Sequence, residues 1–210
     1  MNLRSLCPCL ALAALLGGTG VFSAPAQAQP RKVCPNPYYK AVHERLKPLG
    51  DLIAKGEGDY NAINRGRAGD TPGGIQWYKG QTFENFTVGQ VMAMQRSGLY
   101  AVGRYQFVPK TLRFAVSMAD VSELDMFTPE IQDKLMAALV LYKRPSVGAY
   151  LRGNHDNLNW AMNDMAKEWA SIEWSNGRGY YDHIGGNRAH ISRAELAKVL
   201  KSIKADWTGA

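Results

Sequence analysis

Apolar residues recur at a helical period near the start of the chain. A stripe at positions 49, 52 and 53 follows the 3.6-residue repeat of an amphipathic helix. We expect one helix over Tyr38–Lys47 and a second helix that begins at Pro48, since proline is favoured in the first turn. Gly56 and Gly58 follow the stripe and are predicted to end that second helix.

Five further helices are predicted from start signals and periodicity. Thr87 and Gln90 form a capping-box pattern that opens a helix to about Arg96. Ser192 and Glu195 repeat this pattern before a last helix toward Lys204. The other three predicted helices are Pro109–Met118, Pro129–Lys143 with Thr128 as its N-cap, and Asp156–Ile172.

The segment from Tyr60 to Gly80 is rich in glycine, asparagine and arginine and lacks the helical period. Its stretch Thr71–Gly74 is a strong turn signal. We expect Ile75–Tyr78 and Gln81–Phe83 to pair as a hairpin across Lys79–Gly80. Many helices with one small β element predict an α+β domain in which this segment forms a separate lobe.

The first 28 residues have the pattern of a secretory signal peptide. One charged residue, Arg4, precedes the apolar run Leu10–Leu16, and small residues lead to Ala26–Gln27–Ala28. The run is shorter than the ~20 residues that span a bilayer; an uncleaved anchor or a buried helix is the alternative. We therefore expect an exported protein, periplasmic or secreted, with no stable membrane insertion after cleavage.

Length and composition suit one exported domain. The chain has 210 residues and a formal net charge of +7, which favours polyanionic surroundings such as nucleic acid, acidic lipid or a bacterial wall. We assign 1–28 to the signal peptide, 29–50 to an N-terminal lead and helix, and 51–210 to the main domain. After cleavage only Cys34 would remain, so no intramolecular disulfide is expected, and we interpret this thiol as inert.

Glu57 is the strongest candidate for a catalytic residue. It follows Ile53 by four residues, so it continues the apolar stripe at the C-terminal end of the predicted helix. Partial burial and the negative end of the helix dipole would both raise the pKa of a carboxyl group there, as a general acid at neutral pH requires. The flanking glycines would leave room for a substrate. The alternative is a solvated glutamate in a helix-ending turn.

A second motif, Gly103–Arg104–Tyr105–Gln106, lies 46 residues downstream of Glu57. Gly103 allows a close backbone approach, Tyr105 offers an aromatic wall, and Gln106 supplies a hydrogen-bond donor and an acceptor. These residue types suit a sugar, whose hydroxyl groups need hydrogen bonds and whose ring faces stack on aromatic side chains. An ordinary loop leading into a helix is the alternative.

Other aromatic and polar residues are weaker candidates. Tyr60 and Asn61 come just after Glu57 and would bind substrate or shape the turn. Tyr180 and Tyr181 are candidates for the cleft or for the core, whereas the helical spacing of Trp169 favours the core.

Three separated motifs occur in a defined order: Glu57 between two glycines, then Gly103–Gln106, then Trp169–Ala170–Ser171 followed by Gly179–Tyr180. This order resembles the lambda-type phage endolysins, which are lysozyme-fold lytic transglycosylases, over about residues 51–181. The resemblance implies a lysozyme-like, mostly helical α+β fold with a small β-hairpin lobe flanking a glycan cleft. It also implies that Glu57 is the catalytic acid and that Gly103–Gln106 and the region 169–181 line the cleft. Residues 64–87, the exported leader and the tail beyond residue 182 depart from the family pattern.

The implied activity is cleavage of the β-1,4 bond between MurNAc and GlcNAc in peptidoglycan. A lytic transglycosylase needs one carboxyl group, which protonates the leaving oxygen and then takes a proton from the C6 hydroxyl to form a 1,6-anhydro ring. No second carboxylate is evident from the sequence, since Asp59, Asp70 and Glu84 lack a compelling context. A hydrolytic lysozyme and a non-catalytic lysozyme-like peptidoglycan-binding module are the alternatives.

Other functional classes find little support. The four histidines, His43, His155, His183 and His190, show no zinc-binding spacing, and the chain lacks a G-x-S-x-G elbow. Nucleic-acid binding has only the net charge in its favour. We expect no metal, no cofactor and no nucleic-acid partner. The expected partner is the glycan strand of peptidoglycan, with a proteinaceous inhibitor as a second partner if the protein attacks other cells.

Overall fold

The computed structural model describes residues 37–184 and 186–209, so the predicted signal peptide and Cys34 lie outside the described residues. Helices predominate over short strands, which confirms a mostly helical α+β class. The α-helices are α1 (Pro37–Glu57), α2 (Gly74–Lys79), α3 (Val88–Arg96), α4 (Pro109–Met118), α5 (Pro129–Ala138), α6 (Pro145–Leu151), α7 (Leu158–Ala166) and α8 (Arg193–Thr208). The strands are β1 (Ile63–Asn64), β2 (Ala101–Val102), β3 (Glu173–Ser175) and β4 (Arg178–Gly179).

Helix α1 runs without interruption through Pro48, so the prediction that Pro48 begins a new helix is wrong. The boundary expected between residues 50 and 51 also falls inside α1. An internal proline costs about 3 kcal/mol, because it removes a backbone donor and crowds the preceding turn. Burial of one apolar side chain contributes roughly 1.5–3 kcal/mol, and α1 packs its apolar face on α5 and α8. The buried side chains of that face are Val42, Leu46, Leu49, Leu52 and Ile53. Their packing outweighs the cost of the proline.

Two small antiparallel sheets occur among the described residues. In the first sheet, β1 pairs with β2 so that Ile63 lies opposite Val102 and Asn64 opposite Ala101. In the second sheet, β3 and β4 form a hairpin with an irregular register. The first pairing matters for the site, because it brings the loop after α1 beside the Gly103–Gln106 motif.

The hairpin predicted for Ile75–Tyr78 and Gln81–Phe83 is wrong. Residues 74–79 form α2, and Phe83 begins a single 3₁₀ turn, Phe83–Asn85. Ile75 and Tyr78 lie three residues apart on the inner side of this short helix. The N–H of Ile75 donates to the carbonyl of Asn61 at 2.8 Å, which ties α2 to the loop after α1.

Most other helix starts are confirmed. Thr87 and Ser192 each close a capping box, and Thr128 accepts a hydrogen bond from the first turn of α5. Helix α4 has the predicted bounds, and α5 continues as a π-helical turn over Leu139–Lys143. Helix α7 is shorter than predicted, because the chain leaves the helix after Ala166 and turns toward the end of α1.

The centre of the core lies beside the two predicted motifs. Phe83, Phe107 and Phe127 are fully buried and pack edge to face, with ring centroids 5.3 Å apart for Phe83–Phe127 and 6.3 Å for Phe107–Phe127. Edge-to-face pairs add a geometric preference to the burial of each ring. The turns that flank these rings therefore rest on a well-packed base.

Candidate active site

Glu57 is the last residue of α1, and its carboxylate faces the segment that follows α7. The Ser171 hydroxyl donates to Glu57 Oε1 at 2.6 Å, and the Ser171 N–H donates to the same oxygen at 3.3 Å. Within the described part of the chain, Glu57 Oε2 accepts no hydrogen bond. One carboxyl oxygen is thus held in place, and the other is available to carry a proton.

The pKa of Glu57 is raised above its ordinary value, with burial as the largest cause. The two hydrogen bonds from Ser171 oppose this rise, since they favour the carboxylate. The negative charge of Asp70 raises the pKa further, whereas His190 lowers it. A carboxyl group that stays protonated nearer neutral pH can act as a general acid. Glu57 is therefore not the solvated glutamate of the alternative interpretation.

Gly56 allows Ser171 to reach the end of α1. A Cβ atom at position 56 would lie 2.3 Å from Ser171 Cβ and 2.7 Å from Ser171 Oγ, so a larger residue would push the serine away. The expectation that this glycine leaves room for a substrate is wrong, because Ser171 fills the space. On the other side of Glu57, Gly58 has φ +133°, a conformation that turns the chain out of the helix.

Backbone and indole hydrogen bonds hold the segment that carries Ser171. Trp169 is 3% exposed, as its predicted core role requires, and its indole N–H donates to the carbonyl of Tyr105 at 3.2 Å. The N–H groups of His190 and Ile191 both donate to the carbonyl of Ser171, at 2.7 and 2.9 Å. The segment that carries Ser171, the hydrogen-bond partner of Glu57, is consequently held by the 103–106 turn on one side and by the segment before α8 on the other.

A buried ion-pair network supports the same segment. The side chain of Glu168 is only 3% exposed and accepts from Lys143 at 2.5 Å and from Arg144 at 2.7 Å. The carbonyl of Lys167 accepts from Arg144 and from the hydroxyl of Tyr181, at 2.7 and 2.8 Å. Each buried charge has a partner here, so the network positions the chain without leaving an unpaired ion.

The Gly103–Gln106 motif forms a tight turn between β2 and Phe107. The N–H of Gly103 donates to the carbonyl of Ala62 at 2.8 Å. Gln106 has φ +46°, and its side-chain Nε2 donates to the carbonyl of Gly103 at 3.0 Å. A non-glycine residue in this conformation costs of order 1–3 kcal/mol and persists only when its surroundings impose it. Its Oε1 accepts no hydrogen bond from a described residue and is available to a ligand.

Gln132 joins the two motifs from inside helix α5. Its Oε1 accepts from the N–H of Arg104 at 2.9 Å, and its Nε2 donates to the carbonyl of Tyr60 at 3.0 Å. Gln132 is fully buried, and a Cβ at Gly103 would lie 2.3 Å from its Oε1. Position 103 therefore has to be glycine for this bridge to form.

Asp133 collects three side-chain hydrogen bonds below the motifs. It accepts from Tyr105 at 2.5 Å and from Tyr60 at 3.0 Å, and it lies 2.7 Å from His43 Nε2. The hydrogen bond to Asp133 raises the pKa of His43, and burial is the main cause of the raised pKa of Tyr60 and of Tyr105. Tyr105 is 3% exposed, so the expectation that its ring forms an aromatic wall for a substrate is wrong. Its side chain belongs to the core.

Arg104 lies over the same two tyrosines. Its guanidinium carbon is 4.8 Å from the ring centroid of Tyr60 and 5.9 Å from that of Tyr105, within cation–π range. Its Nη2 donates to Asp51 at 2.6 Å, which ties the turn back to α1. These contacts give Arg104 a role in holding the turn, beside any contact with a substrate.

Asn61 is occupied with local structure. Its Oδ1 accepts from the N–H of Phe83 at 2.9 Å, and its own N–H donates to Asp59 at 2.7 Å. Its side-chain Nδ2 donates to no described residue. Asn61 therefore shapes the loop and retains one donor for a ligand.

Tyr180 and Tyr181 lie away from this cluster, on a groove of about 870 Å³ beside the β3–β4 hairpin. Neither Glu57 nor the Gly103–Gln106 turn lines that groove. The two regions are nevertheless neighbours, since a Cβ at Gly179 in the groove wall would lie 3.2 Å from the carbonyl of Ala170, the residue before Ser171.

The structure brings the three sequence motifs together, through partners that the sequence analysis did not single out. Gln132 and Asp133 are buried within α5, where polar residues on the inner face indicate an internal network. Gln132 precedes the fully buried Met136 by four residues, and this spacing is the signal that would have placed it inside. Ser171 belongs to the third sequence motif, but its pairing with Glu57 had no local signal, because the two residues lie 114 positions apart in the chain.

No protein-family model, curated protein or solved structure matches the chain. Among the described helices, none is both long and apolar enough to cross a membrane.

Proposed function

We propose that the chain is an exported peptidoglycan glycosidase of lysozyme-like fold that cleaves the MurNAc–GlcNAc β-1,4 bond as a lytic transglycosylase. The observation that carries the proposal is the state of Glu57. Its carboxyl group lies at a helix end, burial raises its pKa, and Ser171 holds one oxygen while the other accepts no hydrogen bond from the described chain. A general acid needs this combination of a fixed orientation and a retained proton.

The chemistry requires no second protein group. Protonated Glu57 gives its proton to the glycosidic oxygen as the bond between that oxygen and C1 of MurNAc breaks. The C6 hydroxyl oxygen of the same MurNAc then attacks C1, and its proton passes to the Glu57 carboxylate. A 1,6-anhydro end forms, no water is consumed, and the acid is regenerated. The Ser171 hydroxyl would stabilise the carboxylate between the two proton transfers.

The convergence of the motifs supports a substrate site beside Glu57. Gln132 and Trp169 connect the loop after α1, the Gly103–Gln106 turn and the Ser171 segment into one hydrogen-bonded unit. The left-handed Gln106, with its Oε1 uncommitted to described donors, supports a role in positioning a sugar. Asn61 Nδ2 offers a further donor at the same loop.

Asp70 favours a second candidate, a hydrolytic lysozyme. Its charge raises the pKa of Glu57, it is exposed, and its Oδ1 accepts from Asn64 at 2.8 Å across a β-bridge. A hydrolase uses a second carboxylate as base or nucleophile, and water is then added to the cleaved bond.

Mass spectrometry of fragments from purified peptidoglycan distinguishes these functions. We expect MurNAc ends lighter than reducing ends by one water, the mark of the anhydro ring. Reducing ends would replace the transglycosylase with the hydrolase, and binding without soluble fragments would leave a peptidoglycan-binding module.

Asp70→Asn sharpens the same test. A transglycosylase should keep its rate within a few fold, because Asp70 only influences the pKa of Glu57. A hydrolase that relies on Asp70 should lose roughly 10²–10⁴-fold. Asp59→Asn is the matched control, since Asp59 is also an exposed acid of this loop region.

A further inference from the structure

The groove beside the β3–β4 hairpin has chemistry that a neutral glycan does not require. We call it the hairpin groove; its principal lining residues are Trp174, Arg178, Tyr180, Tyr181, Asp182 and Arg188. Its volume of about 870 Å³ is large enough for several residues of a bound chain. Aromatic, cationic and acidic side chains all face this one space.

Aromatic rings form one wall of the hairpin groove. Trp174 and Tyr180 are 39% and 37% exposed, and their rings meet edge to face at 5.6 Å. Tyr180 contacts Tyr181 in the same manner at 5.0 Å. Large aromatic residues that remain exposed beside a groove are typical of binding surfaces.

Two guanidinium groups remain available for a ligand. Arg178 and Arg188 are exposed, and neither guanidinium group forms an ion pair or hydrogen bond with a described residue. By contrast, Arg104, Arg144 and Arg193 all have acceptors in the described chain. Unpaired arginines on a groove favour carboxylates, which they bind with two parallel hydrogen bonds.

An acceptor without a donor lies in the same groove. Asp182 Oδ1 is buried and has no hydrogen-bond partner in the described structure. Buried polar atoms are normally satisfied, so the Asp182 carboxyl group, which lines the groove, has unused capacity to accept a hydrogen bond. Gly179 makes the position possible, because a Cβ there would lie 2.5 Å from Asp182 Oδ1.

The hairpin that carries the groove is held rigidly before any ligand arrives. Glu173 accepts from the N–H of Gly177 at 2.8 Å and from the N–H of Arg193 at 3.1 Å. Arg193 in turn donates to the carbonyl of Trp174. Preorganisation of this kind lowers the entropic cost of binding.

We infer that the hairpin groove binds the peptide branch of peptidoglycan, a short chain with free carboxylates and a free amine. Arg178 and Arg188 would bind the carboxylates, Asp182 would accept from the amine, and Trp174 and Tyr180 would cover the aliphatic parts. The uncharged hydroxyl and acetamido groups of the glycan would use neither the two cations nor the acid. This inference rests on the proposed function, and it gives the chain a preference for peptide-bearing strands.

The location of the groove suits such a branch. Gly179 lies against Ala170, and Ser171 binds Glu57. The peptide branches from MurNAc, the sugar whose C1 bond Glu57 would cleave. The hairpin groove and Glu57 therefore flank the same short chain segment, so the groove lies near enough for a branch of a glycan held at Glu57 to reach it.

Titration calorimetry with the tripeptide L-Ala-γ-D-Glu-meso-diaminopimelate tests the inference without any cleavage. We expect saturable binding that weakens at least about tenfold in the double variant Arg178→Gln, Arg188→Gln. The double variant Arg96→Gln, Arg113→Gln removes the same charge from exposed positions of α3 and α4 and should bind within about twofold of the unmodified chain. Asp182→Asn should also weaken binding, because the amide places a donor where the amine must donate.

Absence of saturable binding, or equal binding by the groove variant and the unmodified chain, overturns the inference. Tighter binding of a single-stranded oligonucleotide than of the tripeptide would also overturn it, since aromatic and arginine side chains suit nucleic acid as well. A second measurement compares cleavage rates on peptide-bearing and peptide-free glycan strands, and the groove variant should lower their ratio. If the unmodified chain cleaves neither strand, the proposed function fails while the calorimetric result still decides what the groove binds.

Discussion

Glu57 and Asp133 are two carboxylates on the same hydrogen-bonded unit, and they differ in the donors that surround them. Asp133 receives side-chain hydrogen bonds from three parts of the chain: α1, the loop after α1 and the 103–106 turn. Glu57 receives both of its hydrogen bonds from one serine, and they go to one oxygen. Asp133 is held in place as an acceptor, whereas Glu57 Oε2 accepts no hydrogen bond from the described chain.

Under the proposed mechanism, the two carboxylates differ in their hydrogen-bond donors rather than in burial alone. A buried acceptor with several donors stabilises the fold, because each donor that it satisfies would otherwise be stranded away from water. A partly buried carboxyl group that takes both of its hydrogen bonds from one residue and has a negative neighbour, as Glu57 has in Asp70, is suited to hold and release a proton. The number and placement of donors separate the two roles.

Glu57→Gln should produce the largest effect, a loss of roughly 10²–10⁴-fold in the rate of peptidoglycan cleavage, since the amide has no acidic proton to give. The free energy of unfolding should not fall in this variant. The pKa of Glu57 is raised in the folded protein, so ionisation of Glu57 lowers the stability as the pH rises through its folded-state pKa, and glutamine does not ionise. Turbidity loss of purified cell walls and urea unfolding at pH 7 measure both effects. Retained cleavage would remove Glu57 from the mechanism.

Asp133→Asn should affect stability rather than chemistry. We expect it to lower the free energy of unfolding by about 2–4 kcal/mol, because the amide nitrogen would face buried donors that need an acceptor. The urea midpoint measures this loss. The pH optimum of any remaining cleavage should stay where it was, because Asp133 does not contact Glu57. Asp206→Asn is the matched control, since that carboxylate is 65% exposed and, among the described residues, forms an ion pair with Arg45 at 3.2 Å. Equal stability of the two variants would contradict the structural role of Asp133.

Ser171→Ala should increase the difference between Glu57 and Asp133, because it removes the hydroxyl donor of Glu57. The hydroxyl favours the carboxylate, so its loss raises the pKa of Glu57 and shifts the alkaline limb of the pH–rate profile upward. The profile of kcat/KM reports this limb for the free enzyme. Ser117→Ala, at an exposed serine of α4, should leave the profile unchanged. A downward shift in the Ser171 variant would show that the hydroxyl does not stabilise the anion.

Local signals allowed much of the helical framework to be predicted. The capping boxes at Thr87 and Ser192 and the N-cap at Thr128 are interactions between residues three apart, so a short window of sequence contains both partners. The continuity of α1 through Pro48 has no such local signal, because it depends on the packing of α1 on α5 and α8. Packing of the apolar face of α1 outweighs the local preference of proline to interrupt a helix.

The hairpin and the site illustrate the same limit. Asn176 and Gly177 have φ of +51° and +73° and form the turn of the β3–β4 hairpin, where Asn-Gly is a stronger hairpin signal than the Lys79–Gly80 pair. Gly80 adopts a similar left-handed conformation, but as the C-cap of α2. Glu57 was found from its own helix, whereas its partner Ser171 and the three donors of Asp133 lie 28 to 114 residues away from them in the chain.

His43→Gln should give the smallest effect and tests the Asp133 side of the comparison through pH. The hydrogen bond and negative charge of Asp133 raise the pKa of His43, with help from Glu130 and Glu44 and against the effect of burial. A raised pKa means that protonated His43 contributes its full stability below the ordinary value of 6.5 and loses it as the pH rises through the folded-state value. We expect no more than about 1 kcal/mol, the range of a partly exposed ion pair. The difference in urea midpoint between the unmodified chain and this variant should therefore shrink from acidic to alkaline pH. A difference that stays constant would mean that the imidazole contributes to Asp133 only as a neutral donor.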